Sequence, residues 1–373
     1  MTASIQPSRA WVEVDLAALL SNARTVQSTA GVPLLPMVKA NGYGLGAVAV
    51  ARALEAVDPW GFGVATIDEA AELRAAGITR PVVVFTPWTP RVASSELRAD
   101  GIRVVIGDID SLEAWLASPP SELATRDSRL FHLEIDTGMS RAGIRWDDRD
   151  ALQSAAVLLE RAQGWEGVFT HFHSADTDAK GTELQWERFQ SALSVFPRRP
   201  KLVHASGSAA ALRGTRFAGD LVRPGIFLYG GEIGPWAPTP RPVATLRAPV
   251  AGFRDLKPGD TVSYGATWAA ERATRIVTLA YGYADGMHRS GSNRAEVELG
   301  GVRRKVRGRV TMDMTMVEAD AAVRIGDVAT VFGGGISLDQ HAAALGTISY
   351  EVLTAIGPRV PRIYSGAPQR PSA

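Results

Sequence analysis

The chain has 373 residues, of which 46% are hydrophobic and 21% charged, and its formal net charge is +1 at pH 7. This balance excludes a global electrostatic field that would recruit nucleic acid or a membrane surface. The chain has no cysteine, which excludes disulfides, thiolate metal sites and cysteine nucleophiles. No apolar run approaches the roughly 20 residues of a membrane span. The first residues also lack a charged start followed by an apolar core, so we expect a cytoplasmic protein without a signal peptide.

A regular alternation of apolar runs and helical patterns fills the first part of the chain. Residues 11–25, WVEVDLAALLSNART, predict a strand and then a helix. Eight short apolar runs follow, separated mostly by amphipathic stretches such as AVAVARALEAV: VPLLPMVK, GFGVATI, PVVVFT, IRVVIG, RLFHLEID, GVFTHF, KLVHAS and LVRPGIFLYG. Continuous apolar runs indicate strands buried on both faces, as in a parallel sheet. Eight strand–helix units favour a TIM barrel, although a doubly wound open sheet shows the same alternation.

The texture changes from about residue 246. Segments such as RIVTLAYGYADG and RKVRGRVTMDMTMVEA alternate apolar and polar residues and carry turn signals, which predicts a mainly β domain. The proline-rich stretch GPWAPTPRPV is a plausible linker. The expected protein is therefore of the α/β class. It has an N-terminal (β/α)8 TIM barrel over residues 12–240, followed by a mainly β domain over residues 241–373 together with 1–11.

Reactive side chains fall at the ends of the predicted barrel strands, where TIM barrels carry their chemistry. Lys39 ends the first run and Arg223 lies in the eighth. Glu134 lies in the fifth run, and Arg141 follows that run. The sixth and seventh runs end on His171 and His204. A lone strand-end lysine is usually solvated and a lone strand histidine is more often a core group than a catalyst, but the fold would bring all of these residues to one mouth.

Two features of this mouth suggest the cofactor pyridoxal phosphate. A lysine that loses its proton through desolvation can attack a carbonyl and form a Schiff base. The segment ASGSAAALR, after the seventh run, is similar to a phosphate cradle, because small residues lead there into a helix N-terminus. Alone, that segment is more simply a helix cap.

Several segments resemble the alanine racemase family. PMVKANGYGLG is similar to the cofactor-lysine signature of that family. Further family segments follow in the same order over nearly the whole chain: DTGMSRAGI, THFHSAD, HASGSAAALR, VRPGIFLYG, TVSYGATW, AYGYADG, GRVTMDMTMV and RVPRIY. The resemblance implies pyridoxal phosphate, a barrel followed by a β domain, an amino-acid substrate such as alanine, and a head-to-tail homodimer with shared active sites.

The resemblance also implies two opposed bases. Lys39 resembles the lysine that bonds to the cofactor and serves as one base, and Tyr264 resembles the other base, donated by the partner subunit. Arg223 resembles the arginine that faces the pyridine nitrogen, and His204 the residue that holds it. His171 resembles the histidine that stacks on the cofactor ring and orients Tyr264. A phenol ordinarily titrates near pH 10, so cationic or polarising neighbours must favour its ionised form.

Other positions are carried over from the same resemblance. Arg141 and the backbone N–H of Met312 resemble contacts of the substrate carboxylate. The phosphate ligands would be Tyr43, Ser208, Gly225 and Ile226. Supporting residues around the site and its entrance would be Glu134, Asp313, Tyr283, Arg289, Arg309 and Asp176.

The chain departs from the family pattern at three positions. Glu134 stands where many members carry a carbamylated lysine, and we hypothesise that its carboxylate pairs with Arg141. Pro358 replaces a tyrosine at the inner gate, and Gly207 replaces a frequent asparagine beside Ser208. These changes leave open a racemase for a different or larger amino acid, such as serine.

Two rival classes share parts of the pattern. A decarboxylase of the same architecture would carry an acidic residue at the pyridine nitrogen and a cysteine in the second domain, whereas this chain has Arg223 and no cysteine. A metal-dependent barrel hydrolase would use the His171–His173 pair, but it would need further ligands on other strands. We therefore expect no metal.

Overall fold

The computed structural model describes residues 8–92, 101–118 and 129–366. The outermost parts of the predicted second domain, residues 1–7 and 367–373, lie outside the described residues. The strands are β1 Trp11–Asp15, β2 Phe62–Val64, β3 Val82–Pro87, β4 Ile102–Ile106, β5 Phe131–Asp136, β6 Ile144–Arg145, β7 Trp165–Phe169, β8 Leu202–His204, β9 Ala244–Leu256, β10 Thr274–Leu279, β11 Glu296–Leu299, β12 Val302–Lys305, β13 Thr315–Ala319, β14 Val328–Phe332 and β15 Arg362–Ser365.

Helices connect most of the barrel strands, and two further helices precede β15. They are Leu16–Ala30, Ala47–Leu54, Ile67–Ala75, Ile109–Ala117, Arg149–Glu160, Ala179–Leu193, Ser208–Leu212, Leu338–Leu345 and Ser349–Thr354. Side chains cap several of these helices: Asp15 accepts from the N–H groups of Ala17 and Ala18, and Thr66 forms a capping box with Glu69. Each cap satisfies backbone donors that have no partner inside the helix.

Parallel strands form a closed barrel. β2, β3, β4, β5, β7 and β8 pair in that order. The first and eighth predicted runs complete the ring through single bridges, Leu34 with Val222 and Met37 with Gly63. Arg223 N–H donates to Ser206 O at 2.7 Å and joins the eighth run to the seventh. The TIM barrel expected from the eight apolar runs is confirmed, and the open sheet is excluded.

Alternation along the strands decides which side chains enter the barrel. A small buried cluster has one member from most strands: Leu35, Val83, Val105, Phe169, Leu202 and Leu221. Side chains two residues apart on a strand point to the same face. His204 follows Leu202 at this spacing, Arg223 follows Leu221, and Lys39 lies two such steps after Leu35. These polar groups therefore sit above the apolar layer, at the carboxyl ends of the strands.

The second domain is built on one mainly antiparallel sheet. Its main path is β12-β11-β14-β9-β1-β15, and β10 and β13 extend it from β9. β9 holds the sheet together, because it pairs with β1, β10 and β14. The mainly β domain expected from the sequence is confirmed. β1 lies in this sheet although it precedes the barrel in the chain.

Side chains of the second domain donate hydrogen bonds to the loop that follows the first barrel run. Arg362, on β15, donates two hydrogen bonds to Gly44 O, at 2.9 and 2.7 Å. The Tyr364 hydroxyl donates to Leu45 O at 2.9 Å. The helix Ser349–Thr354 packs against the turn Lys39–Tyr43. The position of this turn therefore depends on both domains.

The turn Lys39–Tyr43 is left-handed. The φ angles of Ala40, Asn41 and Tyr43 are 51°, 53° and 53°, and each costs roughly 1–2 kcal/mol for a residue that has a Cβ. Hydrogen bonds hold the turn: Glu69 accepts from Ala40 N–H at 2.6 Å, and the Asn41 side chain accepts from Ala47 N–H at 3.0 Å. Strain that is held in this way is typical of functional sites.

Close backbone approach explains the glycine beside this turn. Gly44 has φ 78°, and a Cβ on it would collide with the carbonyl oxygen of Leu353. Gly77 has a similar φ of 82°, but a Cβ there would meet nothing within 4 Å. The two glycines therefore differ in the space around them and not in backbone conformation.

Replacing these two glycines by alanine separates strain from collision. Gly77→Ala should lower the free energy of unfolding by about 1 kcal/mol, which is the cost of the left-handed conformation. Gly44→Ala should cost more by at least about 1 kcal/mol, because Leu353 and its helix must move. Urea denaturation of both variants measures the difference. Equal losses would contradict the proposed close packing of the two domains.

Candidate active site

A cavity of about 900 Å³ opens at the carboxyl ends of the barrel strands. Nine of the residues expected at the site line it: Lys39, Tyr43, Glu134, Arg141, His171, Ser208, Arg223, Gly225 and Ile226. His204 lies behind Arg223 and is fully buried. The structure thus brings together expected residues that are up to 187 positions apart in the chain, from Lys39 to Ile226.

Lys39 is the amine at this mouth. Burial lowers its pKa, and the positive charge of Arg141 lowers it further, whereas Glu69 acts in the opposite direction. A lowered pKa increases the fraction of neutral amine near pH 7, which is the form that attacks a carbonyl or accepts a proton. The left-handed turn fixes the backbone from which this side chain extends.

Ser208 shapes the opposite wall of the cavity. Its Oγ accepts hydrogen bonds from Gly225 N–H at 2.9 Å and from Phe227 N–H at 3.4 Å. The hydroxyl proton is therefore left to donate elsewhere. A Cβ on Gly225 would collide with the Tyr43 hydroxyl, so the glycine lets that phenol reach this wall. Two hydroxyl groups beside small residues fit the phosphate group of pyridoxal phosphate.

Two stacked tyrosines lie beside this wall, and Tyr43 lines the cavity. The rings of Tyr43 and Tyr229 stack at 4.4 Å between centroids, and the Tyr229 hydroxyl donates to Met37 O at 2.8 Å. Tyr350, from the second domain, lies 6.1 Å from Tyr43. Burial raises the pKa of Tyr43 and raises that of Tyr350 to about 12. These phenols therefore stay protonated and can donate hydrogen bonds.

Arg223 is a buried cation that lines the cavity. Its Nη1 lies 2.7 Å from His204 Nδ1, and its Nη2 donates to Thr170 O and Ala205 O, each at 2.9 Å. Its pKa is lowered to about 9, chiefly by burial. The positive charge of Arg141 adds to this lowering, and the negative charge of Glu134 opposes it. The guanidinium stays charged at neutral pH. A permanent cation facing a ring nitrogen has no reason to protonate that nitrogen.

His171 contacts the same guanidinium. Its Nδ1 lies 3.3 Å from Arg223 Nη2, and this contact is the weakest of the three that Nη2 makes. Burial lowers the pKa of His171 to about 3, and the charges of Arg223 and Arg141 act in the same direction. His171 is therefore neutral. His173 also lines the cavity, and its Nδ1 lies 2.7 Å from a different partner, Ser174 Oγ.

The loop after β5 presents Arg141. The Asp136 carboxylate accepts from the N–H groups of Gly138 at 2.9 Å and Ser140 at 3.1 Å, and this fixes the turn before Arg141. Burial raises the pKa of Glu134, while the charges of Arg141 and Arg223 lower it. Among the described residues, no direct ion pair joins Glu134 to Arg141. The hypothesis of their pairing therefore remains a prediction, supported by their electrostatic coupling.

Tyr264, Met312 and Asp313 line a different cavity, of about 510 Å³, on the second domain. The Tyr264 side chain is 73% exposed and that of Met312 53% exposed. Tyr264 stands in a strained segment, because Ser263 and Ala266 have φ angles of 66° and 45°. Within one chain, Tyr264 and Lys39 thus belong to separate surfaces.

A buried carboxylate fixes the loop that carries Met312. Asp285 accepts from Arg9 at 2.9 Å, from Arg359 at 2.5 Å and from Gly282 N–H at 2.9 Å. Arg359 also donates to Asp313 Oδ1 at 2.7 Å, and Arg9 donates to Asp313 O at 3.1 Å. The loop geometry at this surface is therefore set by charge-assisted hydrogen bonds.

The remaining expected residues lie outside both cavities. Tyr283 and Arg289 are exposed on the second domain, and Arg309 lies beside Gly265, next to Tyr264. Asp176 is exposed, and its charge raises the pKa of Tyr350, which places it near the barrel mouth. Pro358 is exposed in the turn before Arg359, on the surface that carries Tyr264 and Met312 rather than in the barrel cavity.

Some lining residues were missed by the sequence analysis. Tyr350 and the residues around it fold over the barrel mouth from the second domain: Thr347, Ile348, Glu351 and Thr354. The helical pattern YEVLTAIG was visible in the sequence, but its docking site was not. Thr311 was also missed, although its hydroxyl donates to Met314 O at 3.0 Å and accepts from Met314 N–H at 3.2 Å.

The fold and the site define a two-domain barrel enzyme whose mouth offers an amine, a buried guanidinium and a phosphate-sized cradle. Comparison with known proteins identifies its family. The family model for the alanine racemase N-terminal domain matches residues 14–233, and that for the C-terminal domain matches residues 243–364. An alanine racemase of Desulfovibrio desulfuricans is 38% identical over 366 residues, which cover 95% of this chain and 97% of the relative.

Solved structures agree. The crystal structure of alanine racemase from D-cycloserine-producing Streptomyces lavendulae is 32% identical, with a TM-score of 0.87 over 97% of this chain and 98% of its own. That of alanine racemase from Bartonella henselae, with covalently bound pyridoxal phosphate, is 27% identical, with a TM-score of 0.87 over 96% and 100%. The chain belongs to the alanine racemase family, and the rival decarboxylase and hydrolase classes are excluded.

No helix among the described residues is long and apolar enough to cross a membrane.

Proposed function

We propose that this chain interconverts L- and D-alanine in the cytoplasm with pyridoxal phosphate, using Lys39 and Tyr264 as bases on opposite faces of Cα. The observation that carries the proposal is the placement of Lys39, an amine of lowered pKa, in one cavity with Arg223 and Ser208. The family membership supports the same reaction. Tyr264 lies on a separate surface, which fits a base supplied by a second copy of the chain.

The cavity residues fit the cofactor at both ends. Ser208 and Tyr43 would hold its phosphate, Arg223 would face its pyridine nitrogen, and Lys39 would bond to its aldehyde carbon. When bound, the cofactor supplies an electron sink for the carbanion at Cα. Arg223 keeps its own protons, so it would leave the pyridine nitrogen unprotonated and would limit how far negative charge spreads into the ring. This restriction would favour proton exchange at Cα over other reactions.

Proton transfer at Cα is the task of the two bases. Lys39, as a neutral amine, would accept the proton on one face, and the partner's phenol at position 264 would serve the other face. His171 is neutral and adjacent to Arg223, so it would orient that phenol without adding charge. Arg141 and the backbone N–H of Met312 would hold the substrate carboxylate.

The exposed surface of the second domain supports the homodimer. Three large side chains, Tyr264, Met312 and Met314, are 73%, 53% and 45% exposed, and all line the second cavity. Such exposure of large apolar groups in one place marks an interaction site. Head-to-tail packing would bring this surface to the barrel mouth of the partner and give two identical shared sites.

A panel of amino acids in heavy water tests the activity. The protein with pyridoxal phosphate should incorporate deuterium at Cα of alanine and form both enantiomers, and Lys39→Ala should abolish the exchange and the visible band of the lysine-bound cofactor. Serine belongs in the panel, because Pro358 and Gly207 depart from the family pattern. Exchange with serine but not alanine would redirect the substrate assignment, and exchange with no amino acid would reject the function.

Mixing two inactive variants tests the shared site. Lys39→Ala and Tyr264→Phe should each be inactive as homodimers. After unfolding and refolding together, a mixed dimer has one site with both lesions and one site with none. Random assortment of equal amounts should therefore restore about a quarter of the wild-type activity. No recovery in dimers shown to be mixed would place both bases in one chain.

The charge of Glu134 should appear in the pH dependence of substrate affinity. Its raised pKa means that the carboxylate is lost at a higher pH than for an ordinary glutamate, so support for Arg141 falls as pH falls through that value. KM for alanine should rise over this range. Glu134→Gln should show the high KM at every pH, while Asp147→Asn, at an exposed carboxylate paired with Arg145, should behave as wild type. An unchanged KM in Glu134→Gln would reject the hypothesis.

A further inference from the structure

A chain of buried polar side chains runs from Arg223 away from the cavity, into the barrel. Arg223 Nη1 lies 2.7 Å from His204 Nδ1, and His204 Nε2 lies 2.8 Å from His132 Nδ1. His132 Nε2 lies 3.3 Å from Glu166 Oε2, and Arg103 Nε donates to the same oxygen at 3.3 Å. All five side chains are buried, and the two histidines have no exposed surface.

An irregularity in β7 directs Glu166 to this chain. Phe131 pairs with Trp165, but the next residue, His132, pairs with Gly167, so Glu166 is the extra residue of a bulge. A bulge re-aims a side chain that regular pairing would point elsewhere. Gly167 also leaves room for the imidazole of His132, since a Cβ there would lie 2.6 Å from its Nδ1. Two local features thus serve one hydrogen bond.

The two side chains at the ends of this row, Arg223 and Glu166, dictate the direction of every hydrogen bond between them. A guanidinium can only donate, so His204 Nδ1 must accept from Arg223. A neutral His204 then carries its proton on Nε2 and donates to His132 Nδ1. His132 in turn carries its proton on Nε2 and donates to Glu166, whose carboxylate can only accept. All donors therefore point from Arg223 toward Glu166.

Only one other arrangement of the two neutral histidines keeps the bond between them. In that arrangement His132 Nδ1–H donates to His204 Nε2, and His204 carries its proton on Nδ1. That proton would face the N–H of Arg223, so two donors would meet inside the barrel, where an unmade hydrogen bond is costly. His132 Nε2 would also face Glu166 as a second acceptor. Glu166 therefore excludes this arrangement at the His132 end, and Arg223 excludes it at the His204 end.

The charge states of these buried side chains fit this assignment. Burial lowers the pKa of His132 and of His204, so both imidazoles are neutral. Burial raises the pKa of Glu166, but the hydrogen bond and electrostatic contact with His132, followed by the charge and hydrogen bond of Arg103, outweigh it, and the pKa is lowered. Glu166 is therefore an ionised acceptor, and Arg103 balances its charge.

We propose that Glu166 is a positioning residue that fixes the tautomers of His132 and His204 and thereby the orientation of the Arg223 guanidinium in the cavity. Arg103 serves this role indirectly, because it holds the acceptor in place. The structural part of the proposal concerns this chain's own side chains. Its kinetic part rests on the proposed racemase function.

Neutron diffraction from perdeuterated crystals of the wild-type protein tests the structural part directly. Both His132 and His204 should carry deuterium on Nε2 and none on Nδ1. A deuterium on Nδ1 of either residue would overturn the proposal. This outcome does not depend on catalysis or on a variant that must fold.

Glu166→Gln tests the kinetic part. The amide keeps the shape of the carboxylate but can both donate and accept, so it no longer enforces one direction. We expect mixed deuterium occupancy on the two histidines, a fall in kcat for alanine of about 10-fold and little change in KM. The matched control is Glu318→Gln, which alters a glutamate paired with Arg307 at 2.7 Å in the second domain and should leave kcat unchanged.

The outcomes separate this proposal from the racemase function. Wild-type tautomers and wild-type kcat in Glu166→Gln would overturn the positioning role. A wild-type protein with the expected tautomers but no racemisation of any amino acid would reject the function and leave the histidine assignment standing. A fall in kcat that equals the fall in Glu318→Gln would show only general destabilisation and would also overturn the positioning role.

Discussion

The burial of Arg223 is the constraint on which the site depends. A guanidinium without water must have its donors satisfied and its charge compensated. The barrel does this with two backbone carbonyls, a neutral imidazole and the nearby carboxylate of Glu134. These groups come from the ends of three strands, β5, β7 and β8, or from the residues just after them. The closed ring of strands is therefore also the shell that keeps this cation in the cavity.

Lys39 depends on a second constraint, which the two domains share. Its turn is left-handed and would not persist in a free loop, since several of its residues carry a Cβ. Glu69 holds the turn from the barrel, and Arg362 and Tyr364 hold the following residues from the second domain. The lowered pKa of the amine and the fixed direction of its side chain thus have one origin. The hydrogen bonds to the turn hold Lys39 in a partly buried position at the barrel mouth.

The sequence predicted the features that follow from periodicity and from residue type. Eight apolar runs defined the barrel, and Lys39, His204 and Arg223 could be placed at one mouth because they stand at the ends of those runs. Tyr350 could not be placed, because its helix docks through contacts between residues more than 300 apart, and no local pattern encodes them. His132 and Glu166 were missed for another reason. His132 lies inside the fifth run and Glu166 directly precedes the sixth, and the bulge that aims Glu166 toward His132 has no signature in the residues themselves.

The hydrogen bonds from β15 to the loop after Lys39 have a consequence for biosynthesis. Arg362 and Gly44 are 318 residues apart in the chain. A ribosome releases the barrel segments before β15, so the lysine turn of a nascent barrel receives its last supports only once β15 has been made. A nascent chain stopped short of β15 would hold an amine without the support that β15 gives its loop.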